Sequence, residues 1–302
     1  MPDLVAIFAQ YRSHVRGLAY RMLGTLTEAE DVVQDVFLRW LQSDVAEIRS
    51  PKAWLTSVTT RICIDRLRHL EVERAAYPGV WLPEPIVEPA DRDVERRMDL
   101  SSDLSLAFMI VLERLSPDER TVFVLRDVFD AGFPEIAAIL NKSEVACRQI
   151  ASRARTKVRE GRPKFQVTAH MQQSLVRRFL LAIEAGDKTA LLSLLADDAV
   201  LKSDGGGKVR VSTAGIFGAD KIVRLILSRG LIPRGSVTEE TIVKRRLGVI
   251  NGESGILTFL DDALIATLSF ETRGERIKAI YQVYNPDKLS HVTLLDPPAP
   301  IA

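Results

Sequence analysis

The chain has 302 residues, 27% of them charged and 46% hydrophobic, with a net charge of +1. That length supports two or three domains, each with its own core. The charge balance excludes recruitment of an acidic partner by a global basic field, so any such attraction must be local. The two cysteines, Cys63 and Cys147, lie far apart within helical patterns and read as small core residues, not as a disulfide or a metal site. No basic leader followed by an apolar stretch opens the chain, and no run of about 18 apolar residues occurs, which points to a cytoplasmic protein with no membrane partner.

Residues 1–74 read as helix. Leu4, Phe8, Val15, Leu18, Ala19 and Leu23 give a first apolar stripe, Gly24 interrupts it, and Thr27–Glu30 resembles a new helix start. The next helix is strongly amphipathic: Val32, Val33, Val36, Phe37 and Trp40 fall on one side, Asp31, Gln34, Asp35 and Arg39 on the other. After a loop, Pro51 suits the first position of a third helix. It mixes Trp54 and the hydroxyls of Thr56, Ser57, Thr59 and Thr60 with Lys52, Arg61, Arg66 and Arg68. Aromatics and hydroxyls beside arginines suit a surface that stacks on unpaired bases and holds a strand's phosphates, although Trp54 taken alone reads as core.

Residues 75–103 break the helical run. Pro78, Gly79, Pro83, Pro85 and Pro89 forbid a continuous helix. From Pro83 to Asp103 there are seven acidic and three basic residues, an extended acidic linker whose simplest reading is a solvated spacer.

Helices resume over 104–162. Leu115–Arg120 reads as a helix end followed by a capped start, and Val122, Phe123, Leu125 and Phe129 form a support helix. Ile136, Ile139 and Leu140 then mark a short helix, Asn141–Lys142 breaks it, and Ser143 caps the next. On that last helix Ile150, Ala154 and Val158 pack inward, while Arg148, Arg153, Arg155, Lys157, Arg159 and Arg162 stay largely outside. A short helix, a tight turn and a basic helix suit a helix-turn-helix, whose second helix would enter a major groove with its first residues on base edges and its arginines on phosphates; the alternative reading is a solvated amphipathic helix in an ordinary bundle.

From about Thr168 to His291 the pattern changes. An amphipathic helix (Leu175, Val176, Phe179, Leu180, Ile183) closes at Gly186, and the chain then passes from helix into strand before Asp204. A helix is expected over Ala219–Arg229 and strands over Val237–Ile250, Ser254–Phe259, Leu264–Glu271 and Ile277–Tyr284. Helices first and antiparallel strands after indicate an α+β fold with a curved sheet.

These pieces resemble an RNA polymerase sigma factor of the extracytoplasmic-function type. AEDVVQDVFLRW resembles the region-two helix that docks on the polymerase clamp, and AWLTSVTTRICIDRLR the neighbouring helix that melts and reads the −10 element. LSPDERTVFVLRDVFDAGFPEIAAILNKSEVACRQIASRARTKVR resembles region four, which reads the −35 element. Many relatives carry Asn where this chain has Arg61. The C-terminal part looks like a SnoaL-like cone fold. WLPEP (Trp81–Pro85), DGGGK (Asp204–Lys208) and NPDKL (Asn285–Leu289) resemble hallmarks of the subgroup with such a domain fused.

The implied fold is multidomain. Two all-α sigma domains, region 2 over 1–74 and region 4 over 104–162, are joined by the 75–103 linker. An α+β SnoaL-like domain over 168–291 and a tail over 292–302 follow. The implied partners are the β′ clamp and β flap of core RNA polymerase and promoter DNA. Asp31, Gln34, Asp35, Phe37 and Trp40 would meet the polymerase, with Phe37 and Trp40 equally open to a reading as plain core. Lys52, Arg61, Arg66 and Arg68 would hold DNA at −10, mostly through phosphates. Arg148, Gln149, Arg153 and Arg155 would contact −35, the first two as the better candidates for base edges. The acidic linker would mimic RNA in the polymerase channel.

The resemblance further implies that the C-terminal domain contacts the sigma domains and keeps them in a compact, less active arrangement, in place of a separate anti-sigma partner. Trp81, Leu82, Pro83, Asp204, Gly205, Gly206, Gly207, Lys208, Asn285, Pro286 and Asp287 would carry that contact. A triple glycine exceeds what one hairpin turn needs, which suits a docking loop. The alternative function is a ligand-sensing or cyclase-like domain fused to a DNA-binding regulator, since a cone fold can enclose an apolar pocket for a small hydrophobic ligand. His170 and His291 lie near its edges, and the pairs Asp197–Asp198 and Asp261–Asp262 read as surface turns, so no catalytic dyad is assigned. No enzymatic activity, cofactor or metal site is expected.

Overall fold

The computed structural model describes residues 3–44, 47–88, 105–161, 168–229, 231–233 and 241–292. The chain forms two compact units, one of Met1–Ala76 with Met109–Gly161, the other of Tyr77–Phe108 with Arg162–Ala302.

In the first unit, helix α1 (Leu4–Leu23) starts at Asp3, whose side chain accepts hydrogen bonds from the Val5 and Ala6 amides, and stops at Gly24 with φ +80°. That left-handed residue is the reason the periodicity breaks there. Helices α2 (Leu26–Leu41) and α3 (Pro51–Ala75) follow, α3 opening on Pro51 with Ser50 as its cap. Their apolar faces bury Leu18, Val32, Val36, Trp40 and Leu55 completely. Helix α4 (Leu106–Leu112) runs across the boundary between the units. Helix α5 (Pro117–Phe123) starts in a capping box, with Ser116 and Glu119 each satisfying the other's backbone amide, and continues as a π-helical turn over Val124–Val128. Helix α6 (Phe133–Leu140) ends at Asn141 with φ +52°, and α7 (Glu144–Gly161) begins one turn later. Cys63 and Cys147 are free thiols buried in this unit. Burial pushes the Cys63 thiol well up.

One charged cluster lies inside this helical body. Arg120 is 2% exposed and donates to the carbonyls of Leu112 (2.9 Å) and Met22 (2.7 Å). It also pairs with Glu113 at 2.6 Å. Glu113 pairs in turn with Arg74, which donates to the Leu23 carbonyl. Burying these charges is tolerable because each guanidinium is both paired and bonded to a carbonyl at the end of α1.

In the second unit, helices α8 (Ala169–Glu184), α9 (Lys188–Leu194) and α10 (Ala219–Arg229) pack on one face of a sheet. The strands are β1 (Val87–Glu88), β2 (Leu195–Asp204), β3 (Ile216–Phe217), β4 (Val243–Ile250), β5 (Glu253–Leu260), β6 (Ala263–Arg273) and β7 (Arg276–Val283). The sheet order is β1-β4-β5-β6-β7-β2-β3, antiparallel throughout except for the β2–β7 pair. Two tight turns join the central hairpins, Asn251–Gly252 and Asp261–Asp262, all four residues with positive φ. This is the α+β arrangement the patterning implied. The expected first strand begins later, at Val243, and its residues 237–240 lie outside the described residues, as does the tail from 293.

The 75–103 segment differs from a solvated spacer. Residues Tyr77 to Glu88 fold onto the C-terminal domain and supply the sheet's first strand, with Val87 opposite Ile250 and Glu88 opposite Val249. The Asn251 turn secures them: its side-chain oxygen accepts from the Ile86 amide at 3.0 Å, and its own amide donates to the Ile86 carbonyl at 2.7 Å. Pro83 and Pro85 do not obstruct this, because a short edge segment needs few ladder bonds. Residues 89–104 lie outside the described residues.

On the sheet face away from the helices, burial holds the Glu253 carboxyl up to about 7, helped by the nearby Glu271 carboxylate. Between the ordinary carboxylate range and pH 7 the folded chain therefore holds a proton that the unfolded chain has released. Stability is fully present below about pH 4.5 and falls as pH rises through 7. Glu253→Gln should leave the melting temperature at pH 4.5 unchanged and raise stability at pH 8 by about 2 kcal/mol. Thermal unfolding at the two pH values measures this, and equal shifts at both would contradict it.

Candidate nucleic-acid interface and linker-docking site

The exposed face of α7 carries the predicted −35 residues, though in different states. Gln149 and Arg153 project into solvent. Arg148 pairs with Glu144 at 2.7 Å and lies 4.7 Å from the centre of the Phe133 ring. Arg155 is held by Asp127 at 2.8 Å. Lys157 reaches Glu119 at 2.7 Å. Burial pushes the Glu119 carboxyl up, but Lys157 and the Ser116 amide outweigh it and hold it below its ordinary value.

The −10 set does not share one face of α3. Arg61 and Arg68 are seven residues apart, about two turns, and both are exposed. Arg66 points instead toward α2, bonded to Glu28 and Asp35 at 2.8 Å each. Lys52 lies on roughly the same side as Arg66, away from Arg61. Three of the four hydroxyls are also turned to the helix backbone: Thr56, Thr59 and Thr60 bond the carbonyls of Lys52, Leu55 and Thr56, four residues back. Thr56 also meets His14 at 2.9 Å, and burial, then Lys52 and Arg21, lower the His14 imidazole.

The polymerase-facing set divides as well. Asp31 and Gln34 are exposed and Phe37 is half-buried, its ring 4.8 Å from Phe8. Val5, Phe8, Ala9, Val33 and Phe37, together with Gln34 and the Arg12–Glu30 pair, line a groove of about 300 Å³ between α1 and α2. Trp40 has to be removed from the surface list. It is fully buried against Trp54 and its indole N–H donates to the Leu4 carbonyl at 2.8 Å, so it is core. Asp35 shares its carboxylate with Arg66.

The three short C-terminal-subgroup motifs meet around one carboxylate. Asp204 is fully buried and accepts from the Tyr77 hydroxyl (2.6 Å), the Leu82 amide (2.9 Å), the Gly206 amide (3.0 Å) and the Lys288 ammonium (2.7 Å). Lys288, itself buried, also donates to the Leu82 carbonyl at 2.5 Å and lies 4.2 Å from the centre of the Trp81 ring. Asn285 donates to the Tyr77 oxygen at 3.0 Å. Burial, then the bond to Asp204, push the Tyr77 hydroxyl up. On the rim, Lys208 and Asp287 pair at 2.6 Å.

Each glycine of the Asp204–Lys208 loop has a steric reason. A Cβ on Gly205 would lie 2.1 Å from the Val209 carbonyl oxygen. On Gly206, with φ +61°, it would lie 2.4 Å from the Asn285 side chain. On Gly207, with φ +72°, it would lie 2.7 Å from the Pro78 ring. Gly206 and Gly207 thus admit Asn285 and the linker's Pro78 by having no side chain, while Gly205 relieves the loop's own backbone.

Three members of this site fell outside the sequence-derived list. Lys288 lies within the NPDKL motif, where a lysine beside an exposed aspartate reads as surface. Tyr77 carries no motif signal. His291 was a candidate base at the domain edge, and it instead holds the linker, meeting Glu84 at 2.8 Å and the Pro85 carbonyl at 3.1 Å. The other candidate acids are engaged on the surface. Asp197 pairs with Arg276, Asp198 with Arg273 and Lys278, and Asp262 with Lys244. Asp261 accepts from the Ile242 amide. His170 is exposed in the first turn of α8.

A three-helix body bearing an arginine-rich third helix, next to a capped helix-turn-helix, defines a class of initiation factor. The models of Sigma-70 region 2 and Sigma-70 region 4 match residues 7–71 and 106–158. The chain is 38% identical over 300 residues to the ECF RNA polymerase sigma factor SigJ of Mycobacterium tuberculosis, across 95% of this chain and 93% of that protein. It is 30% identical over 290 residues to the probable ECF RNA polymerase sigma factor SigI of the same species, across 94% of each. The crystal structure of the M. tuberculosis SigJ factor superposes with a TM-score of 0.75 at 36% identity, covering 95% of this chain and 98% of that one. The chain belongs to the extracytoplasmic-function RNA polymerase sigma factors, and it is an alternative sigma factor with an additional α+β domain. Among the described residues no helix is long and apolar enough to cross a membrane.

Proposed function

We propose that the C-terminal domain is the built-in regulator of this sigma factor and acts through the linker it holds. The observation that carries this is the convergence of Trp81–Pro85, Asp204–Lys208 and Asn285–Leu289 on the buried Asp204–Lys288 pair. A spacer between two DNA-reading modules that is bonded to a third domain is no longer free to set their separation. Regulation then consists of docking or releasing residues 77–88, and a separate anti-sigma partner is not needed.

In the same reading, Arg61 and Arg68 of α3 contact −10 phosphates, Gln149 and Arg153 of α7 contact −35, and the groove beside Phe37 accepts the polymerase clamp. Arg66 and Arg155 serve first as internal ties to acidic residues and reach DNA only by exchanging those partners. Run-off transcription with core polymerase tests the regulatory reading, comparing the full chain, a truncation after Arg162 and the full chain carrying Lys288→Met. We expect promoter-dependent output to change in both altered forms relative to the full chain. Equal output from all three would refute a regulatory role for the domain.

A further inference from the structure

The solvent face of α7 has an order that the charge count hides. At about 100° per residue, Val145, Gln149, Ser152 and Thr156 fall on one line along the middle of that face. All four are exposed, and none is charged. Cations flank the line, Arg148 and Arg155 on one side, Arg153 and Lys157 on the other. Opposite it, Cys147, Ile150, Ala151, Ala154 and Val158 are buried against the rest of the unit.

Val145 is the exceptional member. It is 65% exposed, in the first turn after the Ser143 cap, where a helix entering a major groove places its base-contacting residues. A β-branched apolar residue gains nothing there from the fold: it is a poorer helix former than Ala and has no packing to offset that. Arg148, one turn on, is drawn toward Phe133 and Glu144. That leaves Val145 and Gln149 foremost on the central line. In a major groove an apolar side chain at such a position has one distinctive partner, the 5-methyl group of thymine.

We infer that Val145 is a specificity-determining residue that reads a thymine methyl in the −35 element. The inference rests on the reading of α7 as the −35 helix. The flanking cations contact phosphates on either side, so the central line supplies discrimination and the flanks supply affinity.

The test is a selection by the full chain with core polymerase on promoter duplexes randomised over both hexamers, run in parallel with Val145→Ser and Val145→Thr. Wild type and Val145→Thr, which keeps a methyl, should share a thymine preference at one −35 position. Val145→Ser should lose it there and nowhere else. Replacing that thymine by deoxyuridine, which removes only the methyl, should lower wild-type binding about fourfold and leave Val145→Ser unchanged. Because Val145 is exposed, all three chains should melt alike. Identical selected sequences from wild type and Val145→Ser, or equal sensitivity to deoxyuridine, would overturn the inference while the −35 reading stands. If no chain selects any −35 sequence, the −35 reading fails and the inference with it.

Discussion

Asp204→Asn should destabilise the second unit by about 3–5 kcal/mol, because it leaves the Lys288 ammonium buried without its counter-charge. The substitution also replaces one accepting oxygen by an NH2 donor, which faces either the Leu82 amide and the Lys288 ammonium or the Tyr77 hydroxyl and the Gly206 amide. The loss should show first at the linker. Limited proteolysis should cut within residues 77–88 of the variant at protease concentrations that leave the parent intact. Pairing the change with Lys288→Met should recover part of the loss, since a neutral pair no longer carries an isolated charge. A coupling energy of about 1–3 kcal/mol is expected from the double-mutant cycle. Additive losses and an unchanged cleavage pattern would mean that the buried pair does not hold the linker.

A second large effect is expected in the helical unit. Arg120→Ala removes a side chain that bonds two carbonyls and a carboxylate in the interior, at an expected cost of about 3–5 kcal/mol in chemical unfolding. Trp40 and Trp54 lie in contact within the α1–α3 core, where their fluorescence reports the change. The consequence extends past stability. The −10 and −35 positions are about 25 base pairs apart, about 85 Å along B-form DNA, whereas α1, one of the longer helices here, spans about 30 Å. On the proposed reading of α3 and α7 as the DNA-contacting helices, both belong to one compact unit that holds the Arg74–Glu113–Arg120 cluster. On that reading, engaging both elements at once would require the unit to open. Arg120→Ala should therefore ease opening, seen as faster amide exchange at the α1 C-terminus. A loss under 1 kcal/mol with unaltered exchange would assign the cluster no closing role.

Much of this architecture was readable from residue order, because periodicity reports which side of a helix is buried and capping residues report where it ends. Gly24, Pro51, the Leu115–Arg120 stretch and Asn141 each mark a boundary that the structure keeps. The three motifs around Asp204 were visible as motifs, and the glycine run pointed to close approach. Their convergence was not visible, since it depends on contacts spanning up to 208 residues, from Tyr77 to Asn285. Side-chain allegiance was hidden for a different reason. An arginine on a helix surface looks the same in sequence whether it faces solvent or a carboxylate on the next helix, and Arg66 and Arg155 have such carboxylates beside them. Trp40 was equally ambiguous, because an apolar stripe does not say whether its cover is another helix of the chain or another protein.

The order of the sheet has one more consequence. Both of its outer strands, β1 and β3, are two residues long, and β1 covers only Val249 and Ile250 of the eight-residue β4. The rest of β4 is an open edge among the described strands, the kind of edge that invites a foreign strand. It carries Lys244, Arg245 and Arg246 in succession. An antiparallel approach by β4 of another copy would set these basic residues against their own kind, only partly neutralised by Asp262 and Glu184, and like charges set opposite one another weaken such a ladder. Self-pairing through this edge is therefore disfavoured.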